Sequence, residues 1–93
     1  MRKAILIKIN KERLSKNGGK YNRTFWKDVQ GNKSYIFDIY HEHYASKRFL
    51  PYMKEGNILD NLKIIEINNK HYISGYSNFT YVGNKNKDEF TIK

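Results

Sequence analysis

The sequence predicts an all-β domain: five antiparallel strands rolled into a Greek-key barrel, with a short helical segment between the third and fourth strands. Three observations predict it. Apolar and polar residues alternate at period two through much of the chain, and the alternating runs are dense in aromatic and β-branched side chains. The one stretch with helical spacing contains the single proline.

Residues 3–14 open with Ile5, Ile7 and Ile9 on one side and Leu6, Lys8 and Asn10 on the other, the pattern of a half-buried first strand. Residues 15–20 carry Gly18 and Gly19, which reach positive φ without a side-chain clash, and so form a hairpin loop. Residues 21–29 are the second strand, rich in side chains that suit a pleated surface. A tight connection at residues 30–33 leads into residues 34–43, the third strand, where Tyr35, Phe37 and Ile39 oppose Ile36, Asp38, Tyr40 and Glu42. Strands joined so closely pair antiparallel.

The period changes in residues 44–55, where Ala45, Phe49, Leu50 and Met53 share one helical face and Gly56 closes the segment. Pro51 lacks the amide that an interior helical position donates, so one turn of helix is expected before it and another starting at it. Residues 58–68, with Leu62, Ile64, Ile65 and Ile67, form the fourth strand, and a turn at residues 68–70 leads into the fifth, residues 71–82. Gly75 inside that strand marks a bulge or a close backbone approach. One domain therefore spans residues 1–82, and residues 83–93 are polar and charged enough to be a frayed tail.

With 93 residues the domain has a thin core, and its long aromatic side chains must supply much of the apolar contact. The chain holds 18 Lys and Arg against 9 Asp and Glu, a formal net charge of +9. Such an excess raises the local concentration of an anionic partner, and nucleic acid leads the candidates. An AT-rich coding sequence produces the same richness in Lys, Asn, Ile and Tyr, and an ordinary solvated surface is the competing explanation of the charge. No amphipathic basic helix or apolar anchor points to a membrane partner, because the run from residue 4 to residue 9 is short and Lys8 interrupts it. A soluble, cytoplasmic protein is expected.

The absence of cysteine excludes disulfide frameworks, thiolate zinc sites and cysteine nucleophiles. His41 and His43 point to one side of a strand, but Glu42 lies opposite and His71 elsewhere, so no third ligand falls at a diagnostic spacing. The acids are scattered, and no phosphate-binding glycine loop or nucleophile motif is present, so neither an enzyme nor a cofactor is expected.

In the order of its elements the chain resembles the oligonucleotide-binding fold (OB-fold) proteins, and among them the small single-stranded DNA-binding proteins of bacterial and viral type. The resemblance rests on the run Tyr21-Asn22-Arg23-Thr24-Phe25-Trp26-Lys27, on Tyr35-Ile36-Phe37-Asp38-Ile39-Tyr40, and on Gly56 closing the helical connection before Asn57 and Ile58. Tyr72-Ile73-Ser74-Gly75-Tyr76 is similar in character, and the likeness covers most of residues 3–82. In that family aromatic side chains of the second and third strands stack on bases, which implies a role for Trp26, Tyr35 or Tyr40. The bacterial members end in an acidic tail with an apolar tip, of which Asp88-Glu89-Phe90 is a faint echo.

Binding single strands without sequence preference needs cations along the phosphates and flat rings for the bases. The second strand supplies both. Tyr21, Arg23, Phe25 and Lys27 share one face, and Asn22, Thr24, Trp26 and Asp28 share the other, so the register decides which rings face outward. Arg23 and Lys27 must reach water, which argues for Tyr21 and Phe25 beside the ligand with Trp26 in the core; the opposite register, with Trp26 beside the ligand, is equally open, and a bulge between Phe25 and Trp26 would let both rings contribute. Loop cations add candidates: Lys16 and Lys20 in the first hairpin, Lys47 and Arg48 beside the helical connection.

The expected function is sequence-tolerant binding of single-stranded DNA or RNA in replication, recombination or repair. The rival expectation is a small viral or accessory adaptor or inhibitor, whose positive, Tyr-rich surface meets an acidic protein. Homo-oligomerisation is compatible with either.

Overall fold

The computed structural model describes residues 2–85. Strands run over β1 Arg2–Ile9, β2 Arg13–Leu14, β3 Lys20–Asp28, β4 Ser34–Tyr40, β5 Asn57–Leu62, β6 Ile64–Ile67, β7 Lys70–Ile73 and β8 Thr80–Asn84, with a 3₁₀ segment at Ser46–Tyr52. They form one mostly antiparallel sheet in the order β6-β7-β4-β3-β1-β5-β8, with β2 beside β3. The exception is β7, which runs parallel to β4 with Tyr72 opposite Ile36. The all-β expectation holds, but the sheet is open: among the described residues no ladder joins β6 to β8.

The expected strand pattern departs in the first, fourth and fifth strands; the first, expected over residues 3–14, ends at Ile9 and resumes as the two-residue β2 at Arg13. In β1 the buried residues are Ala4 and Leu6, while Ile7 is 50% exposed. The reason is a bulge: Leu6 pairs with Trp26 and Lys8 with Phe25, so Ile7 is the extra residue. Past it the parity flips, and Ile9 packs against the core as expected. The fourth strand is cut in two by Asn61, whose φ of 62 lies in the left-handed region and breaks the ladder before Lys63. The fifth divides into β7 and β8, with Gly75 in the turn between them rather than in a strand. A Cβ at Gly75 would lie 3.5 Å from the Ser46 Cβ, so the 3₁₀ segment does approach the backbone closely there.

The 3₁₀ segment is one piece with Pro51 inside it, not a pair of α-helical turns. Its anchor is Phe49, edge-on to Phe37 at 4.6 Å and stacked on Phe79 at 4.1 Å. At the other end of the chain, residues 83 and 84 complete β8 instead of starting a tail, and the buried Asn84 donates from Nδ2 to Asn57 Oδ1 at 2.8 Å. The remainder of the expected tail, with Asp88-Glu89-Phe90, lies outside the described residues.

The core fills one side of β3 and β4: Trp26 from β3, and Tyr35, Phe37 and Ile39 from β4, with Leu6, Leu59 and Leu62 from β1 and β5. One acid is buried with them. Asp28 Oδ2 accepts the Tyr35 hydroxyl at 2.6 Å and Asp28 Oδ1 accepts the Gln30 amide at 2.8 Å, with Arg2 at 3.7 Å. The Tyr35 hydrogen bond holds the Asp28 carboxyl below its ordinary 3.8, against the opposing effect of burial. Burial first, and then the bond to Asp28, push the Tyr35 phenol up to about 12.

Linkage sets the pH limits of this pair. The depressed Asp28 contributes stability that is complete above the unfolded value of 3.8 and is lost as pH falls below it. The raised Tyr35 contributes stability that is complete below its unfolded value of 10.0 and is lost as pH climbs toward about 12. Urea denaturation across pH should show a plateau with a fall at each end. Asp28→Asn should flatten the acid limb and lower neutral-pH stability by about 2 kcal/mol; an unchanged acid limb would show that other groups carry it.

Candidate functional site

Because Thr24, Trp26 and Asp28 turn inward, the opposite parity of β3 turns Tyr21, Arg23, Phe25 and Lys27 outward. The β3–β4 ladder sets Tyr21 across from Tyr40, Arg23 across from Asp38, and Phe25 across from Ile36. The third of these rows continues through Tyr72 on β7 to Ile65 on β6. The result is a half-exposed face of rings and aliphatic side chains spanning four strands.

The rows differ in chemistry. Tyr21 and Tyr40 stack on each other, centroids 5.0 Å apart and planes inclined by 24°. Arg23 donates to both Asp38 oxygens, at 2.8 and 3.0 Å, and this hydrogen bonding, with the charge of Asp38, raises the guanidinium pKa beyond its ordinary value. Arg23 thus neutralises the acid that would otherwise repel a phosphate on this face. Phe25, Ile36, Tyr72 and Ile65 make an apolar strip beside the ion pair.

Two cavities extend the face. One, of about 560 Å³, lies between the β2–β3 loop and the end of β4, and is lined by Ser15, Lys16, Lys20, Tyr40, Glu42 and His43 among others. The loop is held shut by Ser15, whose amide donates to the Gly19 carbonyl at 2.8 Å while its Oγ accepts the Gly19 amide at 3.1 Å. The second cavity, of about 360 Å³, lies over β4, β6 and β7, where Asp38, Ile65, Ile67, Tyr72 and Tyr76 contribute walls. Tyr40 and His43 belong to both cavities, so the two meet there. His43 stacks with Tyr44 at 5.0 Å and meets Tyr76 edge-on at 5.8 Å; Tyr44 and Tyr76 are 68% and 60% exposed.

The residues nominated from sequence fall into three groups. Lys16, Lys20, Tyr21, Arg23, Phe25 and Tyr40 lie on this face or at its rim, with Lys47 exposed nearby, its amide donating to the His43 carbonyl at 2.9 Å. Lys27 shares the outward parity but sits at the other end of β3, roughly 20 Å from Tyr21 along the strand, beside a different cavity. The third group is displaced from any ligand. Trp26 and Tyr35 are 2% and 1% exposed, core residues with no ring face open to a base. Arg48 spends its guanidinium on backbone carbonyls: Ala45 at 2.8 Å, Gly75 at 2.6 Å and Ser77 at 3.0 Å. It also lies 5.5 Å from the Phe79 ring centroid. Its work is to clamp the 3₁₀ segment to the β7–β8 turn.

Ile65, Tyr72, Tyr44 and Tyr76 were not nominated from sequence. Tyr72 and Ile65 reach the face only through the parallel pairing of β7 with β4, which alternation along the chain does not reveal. The two histidines also differ from expectation, since β4 ends at Tyr40 before either. His41 Nε2 donates to Asn22 Oδ1 at 2.6 Å, whereas His43 Nδ1 accepts the Ala45 amide at 3.3 Å.

No family model matches the chain, and no curated protein or solved structure is similar to it.

Two outcomes follow from the buried tryptophan and the clamping arginine. Trp26 emission should be blue-shifted and poorly quenched by iodide, and an oligonucleotide should leave it nearly unchanged; strong quenching by either would place the indole at the surface. Arg48→Ala should lower the unfolding free energy by about 2 kcal/mol, through lost charge-assisted hydrogen bonds to carbonyls. Unchanged stability in urea would assign those contacts no weight.

Proposed function

We propose that this domain binds single-stranded nucleic acid, without marked sequence preference, on the outer face of β3, β4, β7 and β6. One observation carries the reading: Tyr21, Tyr40, Phe25 and Tyr72 share an open face on which Asp38 is paired with Arg23, and Lys16 and Lys20 line the cavity at its rim together with Glu42. Bases stack on the rings, worth roughly 1–3 kcal/mol each, and the lysines follow the phosphates. Stacking tolerates any base because every base has a π-face. The groups on this face are mostly rings and aliphatic chains, which do not read base edges.

The strand arrangement supports the finer assignment to an oligonucleotide-binding barrel. Taking β5 with β6 as one fourth strand and β7 with β8 as one fifth, the order β5-β1-β3-β4 is the 4-1-2-3 of a Greek key. Only Lys63 separates β5 from β6, so one bent segment joins the β6 end of the sheet path to the strand next to its other end. In such partly open barrels the face of the second and third strands, flanked by the first and last hairpin loops, is where oligonucleotides bind. Here those loops are residues 15–19 and the turn at Asn68 and Asn69. Replication, recombination or repair of DNA are the processes that such binding serves.

Fluorescence anisotropy of labelled oligothymidine and oligouridine over a salt series tests the reading. Affinity should fall steeply with salt, with a log–log slope of about −0.7 per phosphate neutralised, and Lys20→Ala should make the slope shallower by about that amount. Tyr40→Ala and Tyr72→Ala should each weaken binding by about tenfold. No binding of either strand at low salt would end the assignment.

A further inference from the structure

At the opposite end of β3 the outer surface has a different character. A cavity of about 380 Å³ opens between the β3–β4 loop and the start of β1. Its floor is aliphatic: Ile5 and Ile58 sit opposite each other on β1 and β5, and Val29, 46% exposed, adds a wall. Its flanks are cationic. Lys27 lies across from Ile5 on β3, and Lys85 follows β8 with its amide anchored to the Gly56 carbonyl at 2.9 Å; both are exposed. Lys3 shares the outward parity of Ile5, and its carbonyl accepts the Val29 amide at 3.0 Å.

Asp28 is the one acid lining this cavity among the described residues, and its oxygens are already engaged by the Tyr35 hydroxyl and the Gln30 amide, with Arg2 alongside. Among the described residues the charge at the opening is therefore positive over an apolar floor. Among the described residues no aromatic ring lines it, so a base would find no stacking surface here, in contrast to the Tyr21–Tyr40 face. A strand would gain only phosphate contacts and would leave the aliphatic floor uncovered.

We infer that this cavity docks an acidic segment of a partner protein, with one apolar anchor side chain on Ile5, Val29 and Ile58 and carboxylates on Lys27 and Lys85. The charge is complementary, the floor takes what a charged peptide must otherwise leave in water, and the volume suits one large side chain. The cavity lies at the end of β3 away from the Tyr21–Tyr40 pair, with Phe25 two residues from Lys27, so a peptide there leaves the tyrosine pair open. The domain would then couple a nucleic-acid strand to a protein, and the docking stands whether or not the strand-binding reading does.

The probe is a short fluorescein-labelled peptide of Asp and Glu with a central Leu-Phe pair, titrated into the full chain and followed by anisotropy and by amide shifts. Saturable binding is expected, with shifts at Val29, Gly31 and Asn32. The double variant Lys27→Glu with Lys85→Glu should weaken it by about tenfold or more, and Val29→Asp by a similar factor, while Tyr40→Ala leaves it unchanged. Because Lys27, Val29 and Lys85 are exposed, the variants at these positions should unfold at the parent's urea midpoint. Equal affinity for a peptide with Ser-Ser in place of Leu-Phe would overturn the anchor, and shifts centred on Tyr21 and Tyr40 would overturn the site. If oligothymidine displaces the peptide and itself binds less well to the double lysine variant, the occupant is a strand and the inference fails.

Discussion

The arrangement of this domain depends on a short buried relay across two strands. Trp26 donates from Nε1 to Thr24 Oγ1 at 2.7 Å, and the Thr24 hydroxyl donates to the Phe37 carbonyl at 2.7 Å. The Trp26 indole N–H and the Thr24 hydroxyl are thereby satisfied within the core, which removes a cost of roughly 1–3 kcal/mol per unpaired group. The relay also locks β3 to β4 in one register. A slip by one residue would carry Trp26 into water and bring Arg23 and Lys27 inside, where neither charge could be left unpaired.

Everything on the outer face follows from that register. With Thr24 and Trp26 committed inward, Tyr21 and Phe25 have no place but outside, beside Tyr40 and Ile36. The division of labour among the cations has a similar origin. Arg2, Arg23 and Arg48 are each engaged by a carboxylate or by carbonyls, as suits a planar fork with several donors. The lysines at positions 16, 20, 27 and 47 are exposed on flexible stems, where an anion can reach them; Lys20 lies 4.0 Å from the exposed Glu12 carboxylate. The positive excess is thus carried to partners chiefly by lysine, while these arginines hold the fold together.

Much of the strand layout was legible from alternation, and the misses share a cause. Phe37 and Ile39 were readable as core because Asp38 on the other parity needs water or a cation, and Arg23 supplies that cation. Tyr35 has the same parity as Phe37, so its burial was available to the same argument, but family resemblance pointed it outward. In β1 a single bulge at Ile7 reverses the parity, and no feature of the local sequence announces an extra residue. Trp26 had two consistent placements, and only its hydrogen bond to Thr24, itself bonded across the ladder, separates them.

Along the chain, residue order determined which stretches carry strand, where the 3₁₀ segment falls and that the net charge is positive, but not the interruptions at residues 10–12 and 74–79. Those properties are set by neighbours in sequence: side chains alternate every second residue, glycine and asparagine turn, and charge simply adds. Which rings share a face was decided only by tertiary structure. The parallel pairing of β7 with β4, the clamp of Arg48 on the β7–β8 turn and the paired Asp38 join residues far apart in the chain, and such contacts are chosen by the packing of the whole core rather than by any local pattern.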